Sequence, residues 1–113
     1  MLNVFYSKKN WNEGKEELPE SATDIILNFA QVKEFNIIPT IKNFENIFFH
    51  MQAEEWSSDG EATPIIKSLG LTHTSMSVGD FILDTGTGFG YFVKPYGWSK
   101  FDIYAPKIKE IAI

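Results

Sequence analysis

Two residue types are missing from this chain of 113 residues, cysteine and arginine. Without cysteine there are no disulfides, no thiolate metal sites and no thiol nucleophile. An uncrosslinked chain fits a reducing compartment. All ten basic residues are lysines. Arginine is the usual bidentate clamp on phosphate and the usual reader of guanine edges. Its absence, with fifteen acids, a net charge of −5 and a pI near 4.9, argues against binding duplex nucleic acid. The acidic excess is also too sparse to signal mimicry of DNA, whose duplex carries a charge every ~1.7 Å. Long apolar runs are lacking as well. The longest span three residues, as in Ile25-Ile26-Leu27, against the ~20 a membrane helix needs. Met1 to Tyr6 contains no basic stretch leading into an apolar one. The expectation is a soluble, cytoplasmic chain.

What the chain has in quantity is aromatic surface: ten Phe, four Tyr and three Trp. That is ample material for a core, and a chain of this length hides roughly two thirds of its unfolded surface on folding. One domain over residues 1–113 is expected.

Leu2 to Tyr6 reads as a strand ended by Ser7-Lys8-Lys9-Asn10. Residues 10–20 are polar, with Gly14 and Pro19, and read as an exposed loop. Ser21 and Asp24 form a weak capping pair for a helix whose apolar positions include Ile25, Ile26, Phe29 and Val32. Phe35 to Ile41 reads as extended, and Pro39 marks it as an edge strand. The clearest helix runs from Phe44 to about Gln52, with Asn43 as its cap and Glu45 in its first turn. Phe44, Ile47, Phe48 and Met51 fall on one face. After the turn Trp56-Ser57-Ser58-Asp59-Gly60, a short helix is predicted with Thr63 as cap, Pro64 at its first position and Gly70 past its end. Phe81-Leu83, Tyr91-Val93 and Phe101-Tyr104 are then three short strands, separated by the Gly-rich stretch 84–88 and by Pro95-Tyr96-Gly97. The fold class is α+β: a small antiparallel sheet, made of a C-terminal three-stranded meander plus N-terminal strands, with two or three helices on one face.

Gly86-Thr87-Gly88-Phe89-Gly90 invites comparison with nucleotide loops, but the third glycine comes one residue early and a strand, not a helix, follows. A glycine-rich hairpin turn accounts for it better. His50 and His73 have no metal-ligand spacing, so no metal or cofactor is expected, and His50 reads as a partly buried structural residue. The densest polar cluster is His73-Thr74-Ser75-Met76-Ser77-Val78-Gly79-Asp80. A Ser/His/Asp triad is the sharper reading of it, but no nucleophile elbow is present. A tight turn into the strand Phe81-Leu83, with hydroxyls capping backbone groups, is the simpler one. Tyr96 and Trp98 divide evenly between core and binding surface, and Trp56 leans to core. Lys94 and Lys100 flank that turn, either steering an anion or blocking an edge strand.

The octapeptide from His73 to Asp80 resembles the pattern His-x-Ser-(Met/Leu)-Ser-Val-(Gly/Ser)-Asp of the YodL-like family of small phage and mobile-element proteins. Glu45-Asn46-Ile47-Phe48 with Gln52 and Trp56 upstream, and Gly97-Trp98 downstream, are similar more loosely, so the likeness covers about residues 35–103. The resemblance implies an accessory protein that binds a host bacterial protein, as an inhibitor or host-takeover factor, and not an enzyme. The family offers no active site to transfer. The binding residues expected on this reading are the exposed members of His73, Ser75, Ser77 and Asp80, together with Tyr96 and Trp98. The alternative is a protein that sequesters a small ligand or nucleotide, with aromatics and lysines near a glycine-rich turn holding a base and a phosphate.

Overall fold

The computed structural model describes residues 1–113. Five strands form one antiparallel sheet: β1 (Leu2–Ser7), β2 (Phe29–Phe35), β3 (Phe81–Asp84), β4 (Phe89–Lys94) and β5 (Gly97–Asp102). Their order is β2-β1-β3-β4-β5. The C-terminal meander is thus joined to the N-terminal hairpin through β1, which pairs Val4 with Ile82 of β3 on one side and Lys33 of β2 on the other. Three helices complete the α+β fold: α1 (Ala22–Asn28), α2 (Ile41–His50) and α3 (Thr63–Ser68). None is long and apolar enough to cross a membrane.

Strand side chains alternate between faces, and here both faces are covered. Leu2, Val4, Tyr6, Ile82, Tyr91 and Val93 join Phe44 and Ile47 of α2, Met51 just past its end, Ile66 of α3, and Trp56 in one core. On the opposite face Phe81, Phe92 and Phe101 pack with Ile25 of α1, Phe29 and Ile108 of the C-terminal segment. Each large apolar side chain removed from water there contributes roughly 1.5–3 kcal/mol. So α2 and α3 share one face, and α1 lies on the other.

The second strand lies earlier than its sequence suggests. Phe29 and Val32 fall at helical spacing from Ile25, yet α1 stops at Asn28 and Phe29–Phe35 is strand. The edge of β1 offers backbone partners from Leu2 to Ser7, and that ladder outweighs a weak helical pattern. Pro39 sits in the loop that follows, where its missing N–H costs no ladder bond. The cap of α2 is Thr40, not Asn43: the Thr40 hydroxyl accepts from the Asn43 backbone N–H at 3.1 Å. Glu45 therefore falls beyond the first turn. Likewise Thr63 is the first residue of α3 and Ala62 its cap. β5 begins at Gly97, so the turn before it is Pro95-Tyr96, and Ile103 and Tyr104 lie past its end. His50 is exposed at the end of α2, its ring edge-on to Phe35.

The glycine-rich stretch is the expected hairpin turn. Asp84 organises it, accepting from the Gly86 N–H at 3.0 Å and the Thr87 hydroxyl at 2.9 Å. Gly90 has a separate purpose. Its register partner on β5 is Phe101, whose ring occupies the space where a Cβ would project. Gly90→Ala is expected to cost about 1–3 kcal/mol through overpacking, read as a lower urea midpoint at unchanged m-value. Pairing it with Phe101→Leu is expected to recover part of the loss.

Candidate functional site

The octapeptide from His73 to Asp80 forms a rigid corner between α3 and β3. Asp80 is its centre and has no exposed surface. One carboxylate oxygen accepts the Ser7 backbone N–H at 2.8 Å, and the other accepts the Ser77 backbone N–H at 2.8 Å. His73 Nε2 lies 2.8 and 3.1 Å from the two oxygens. The Ser77 hydroxyl is a more distant fourth neighbour at 3.5 Å. A buried carboxylate persists only when its lone pairs are filled in this way. The backbone closes the same turn: the Asp80 N–H donates to Ser77 O, and Gly79 and Val93 N–H groups bond Val93 and Asp80 carbonyls. Gly79 adopts φ +98° with its Cα against Lys15 of the 10–20 loop. That loop therefore folds over the corner, and Lys15 is buried.

Tyr6 holds the imidazole from one side. Its ring stacks on His73 at 4.7 Å and 17°, and its hydroxyl donates to Thr74 O at 2.9 Å. Burial first, and the charge of Asp80 second, push the Tyr6 phenol far above its ordinary value. The remaining polar groups are equally committed. The Ser75 hydroxyl donates to Trp56 O at 3.0 Å, and the Gln52 side chain donates to Met76 O.

Of the residues expected to bind a partner, then, Asp80 is unavailable to one, and Ser77 is engaged with it. His73 and Ser75 are half-buried and line a groove of about 620 Å³ with Ser57, Thr63, Ile66 and Lys67 among its other walls. A His–Asp pair does exist beside a groove. No hydroxyl is hydrogen-bonded to the imidazole, so no activated nucleophile completes a triad.

Tyr96 and Trp98 belong to a different place. A second groove of about 360 Å³ runs between α2 and the β4–β5 hairpin, lined by Phe48, Phe49, Val78, Pro95 and Trp98, with Glu45 and Lys94 as its charges. Trp98 is half-buried and packs against Phe44 and Phe48. Tyr96, at the hairpin tip, is 99% exposed, and Phe49 is 76% exposed. Phe49 was legible as a surface residue: it follows two apolar-face positions of α2 and falls off their stripe. Trp56 is core, as its sequence context leans. Lys94 and Lys100 each have a contact within the fold. Lys94 donates to Glu16 O at 2.9 Å, and Lys100 sits 4.1 Å over the Phe89 ring.

Compared with known proteins, the chain matches no family model, no curated protein and no solved structure.

Two outcomes follow from this geometry. Asp80→Asn puts an amide N–H where a backbone or imidazole donor now bonds, leaving a buried donor unsatisfied at roughly 1–3 kcal/mol, measurable by urea denaturation. Tyr6→Phe separates burial from the phenol. Its loss of the bond to Thr74 is expected to cost about 1 kcal/mol near neutrality. A raised folded-state value means that the contribution of the phenol is full below ~10 and falls as pH climbs above it. The gap between the two proteins should therefore narrow at alkaline pH, as followed by denaturation at pH 8 and pH 11.

Proposed function

We propose that this chain is a small binding protein of the phage or mobile-element accessory type. It acts by seating an apolar segment of a host bacterial protein between α2 and the β4–β5 hairpin. The observation that carries the reading is the pair of large aromatic side chains, Phe49 and Tyr96, left in water on a chain that buries most of its other aromatics. Phe49 lines a groove floored by Trp98, and Tyr96 stands in the chain between two of its other wall residues, Pro95 and Gly97. Exposed aromatics grouped around a concave apolar surface are the composition of a binding hot spot. The groove takes apolar side chains, and the net charge of −5, with Glu45 at the groove wall, favours a segment flanked by lysine or arginine. Lys94, which bonds Glu16 O, keeps its charge on the same wall, so the net charge of the chain and not the groove's own pair sets this preference.

The likeness of residues 73–80 to the YodL-like pattern supports the same reading from a second direction, since that family's members are accessory factors and the octapeptide contributes Val78 to this groove. The role of the octapeptide is then to fix the groove, and the contact residues are Phe49, Tyr96 and Trp98.

Capture from a bacterial lysate on immobilised protein tests this. The wild type is expected to retain a defined host protein. The double variant Phe49→Ser, Tyr96→Ser, which alters only exposed positions, is expected to lose at least tenfold in affinity, about 1.4 kcal/mol. Equal retention by both proteins, or no specific retention by the wild type, overturns the proposal.

A further inference from the structure

We infer that the groove beside His73 is a second binding site, one for a neutral polyhydroxylated ring, either a free sugar or the ribose of a nucleoside, which donates a hydroxyl proton to His73 Nδ1.

The inference starts from the proton on the imidazole. A carboxylate only accepts hydrogen bonds, so the nitrogen that faces Asp80 must donate. Nε2 faces it at 2.8 Å. In the neutral ring the proton is therefore on Nε2, and Nδ1 carries the lone pair. Tyr6 stacks on the ring and Asp80 grips it through both oxygens, so this tautomer and its orientation are fixed. Nδ1 has no hydrogen-bond partner within the protein and is not sealed from solvent. It is a preset acceptor in the wall of a groove of about 620 Å³, a volume within the usual range for small-molecule sites.

Three of the groove's hydroxyls sort in the same manner, while those of Ser58, Thr72 and Thr74 have no partner within the protein and can donate or accept. The Ser57, Thr63 and Ser75 protons are spent on the carbonyls of Glu54, Ser58 and Trp56, at 2.8, 3.1 and 3.0 Å. What these three residues present outward is lone pairs alone. Lys67 is the opposite, a donor with no ion-pair partner, and it lines the same groove. Ile66 and Leu71 supply its apolar surface. Fixed acceptors, one ammonium and the uncommitted hydroxyls of Ser58, Thr72 and Thr74 together suit a ligand that both donates and accepts better than an anion or an organic cation. A ring of neutral hydroxyls satisfies both sets, because each hydroxyl donates and accepts, while its C–H face suits Ile66 and Leu71.

This site is separate from the apolar groove of the preceding section, so either proposal can fail alone. The test is ¹⁵N NMR of the imidazole nitrogens in the intact protein, titrated in separate arms with ribose, uridine and inorganic phosphate. Before addition, the two-nitrogen pattern should show the proton on Nε2. Ribose and uridine are each expected to move the Nδ1 resonance saturably, a response to uridine alone assigning the site to nucleosides and equal responses assigning it to sugars. His73→Gln retains a donor toward Asp80 but lacks Nδ1, and it should weaken binding at least tenfold. Lys67→Met, at an exposed position that leaves the fold intact, should weaken it as well and keeps the test decisive if His73→Gln unfolds. A proton found on Nδ1, a response to phosphate alone, or no response to ribose and uridine overturns the inference.

Discussion

A single buried carboxylate organises this molecule. Asp80 accepts from the end of β1 at Ser7, from its own turn at Ser77 and from the His73 imidazole. Without those donors its charge would be prohibitively costly in the interior. With them, two segments far apart in sequence, the end of β1 and the octapeptide itself, are fixed at one point. The sequence separation between Ser7 and Asp80 is 73 residues, so this bond belongs to the closed fold and not to any local element. It also sits where β1 and β3 first meet, since Phe5 and Phe81 are register partners and their rings stack at 4.9 Å. The polar anchor and the aromatic core are adjacent layers of one junction. Hydrophobic burial supplies most of the driving force there. The carboxylate makes that burial compatible with only one arrangement of the corner.

The sheet's two covered faces account for most of the buried aromatics, and the aliphatic side chains most open to water, Ile26, Leu27 and Ile38 among them, lie off the sheet. Antiparallel sheets commonly leave one face to water. Here α2 and α3 take one face, and α1 with Ile108 takes the other. Against that background Phe49 and Tyr96 are exceptions in both size and position. Trp11 and Tyr104 are also exposed, but the ammonium of Lys15 lies 5.5 Å over the Trp11 ring, and the Tyr104 ring fills the space above Gly88. Phe49 lines a groove, Tyr96 stands between its wall residues Pro95 and Gly97, and neither has such an occupation.

The meander was readable in the sequence because its strands carry dense aromatic and branched residues, and because its turns are marked by glycine and proline. The amphipathic face of α2 was readable for a similar reason: four apolar positions at helical spacing leave one orientation. The second strand was not. Phe29 to Phe35 holds Gln31, Lys33 and Glu34, and only its pairing with β1, whose residues lie 22 or more positions away, makes it a strand. The corner was partly readable. Adjacent His, Ser and Asp signalled a turn with capping groups, and a turn is what formed. Tyr6 and Ser7, which complete it, lie in β1 and carried no local mark of that role. The same limit applies to both grooves. Each is assembled from segments that only the closed fold brings together, and what sequence shows is the off-stripe position of Phe49 and the glycine beside Trp98.

The octapeptide serves both grooves at once. His73, Thr74 and Ser75 line the larger one and Val78 lines the apolar one. Such an arrangement invites the idea that occupation of one groove alters the other. The geometry argues otherwise. Coupling needs an element with two arrangements of similar free energy. The corner has one: Asp80 is held by three donors, Gly79 by its positive φ and by Lys15, and the His73 ring by Tyr6. Moving any one of these strands a buried donor or the charge itself, at roughly 1–3 kcal/mol or more. A ligand would have to supply that difference before the neighbouring groove changed shape. The corner is therefore a rigid partition, and binding in either of the proposed grooves is expected to leave the other unchanged.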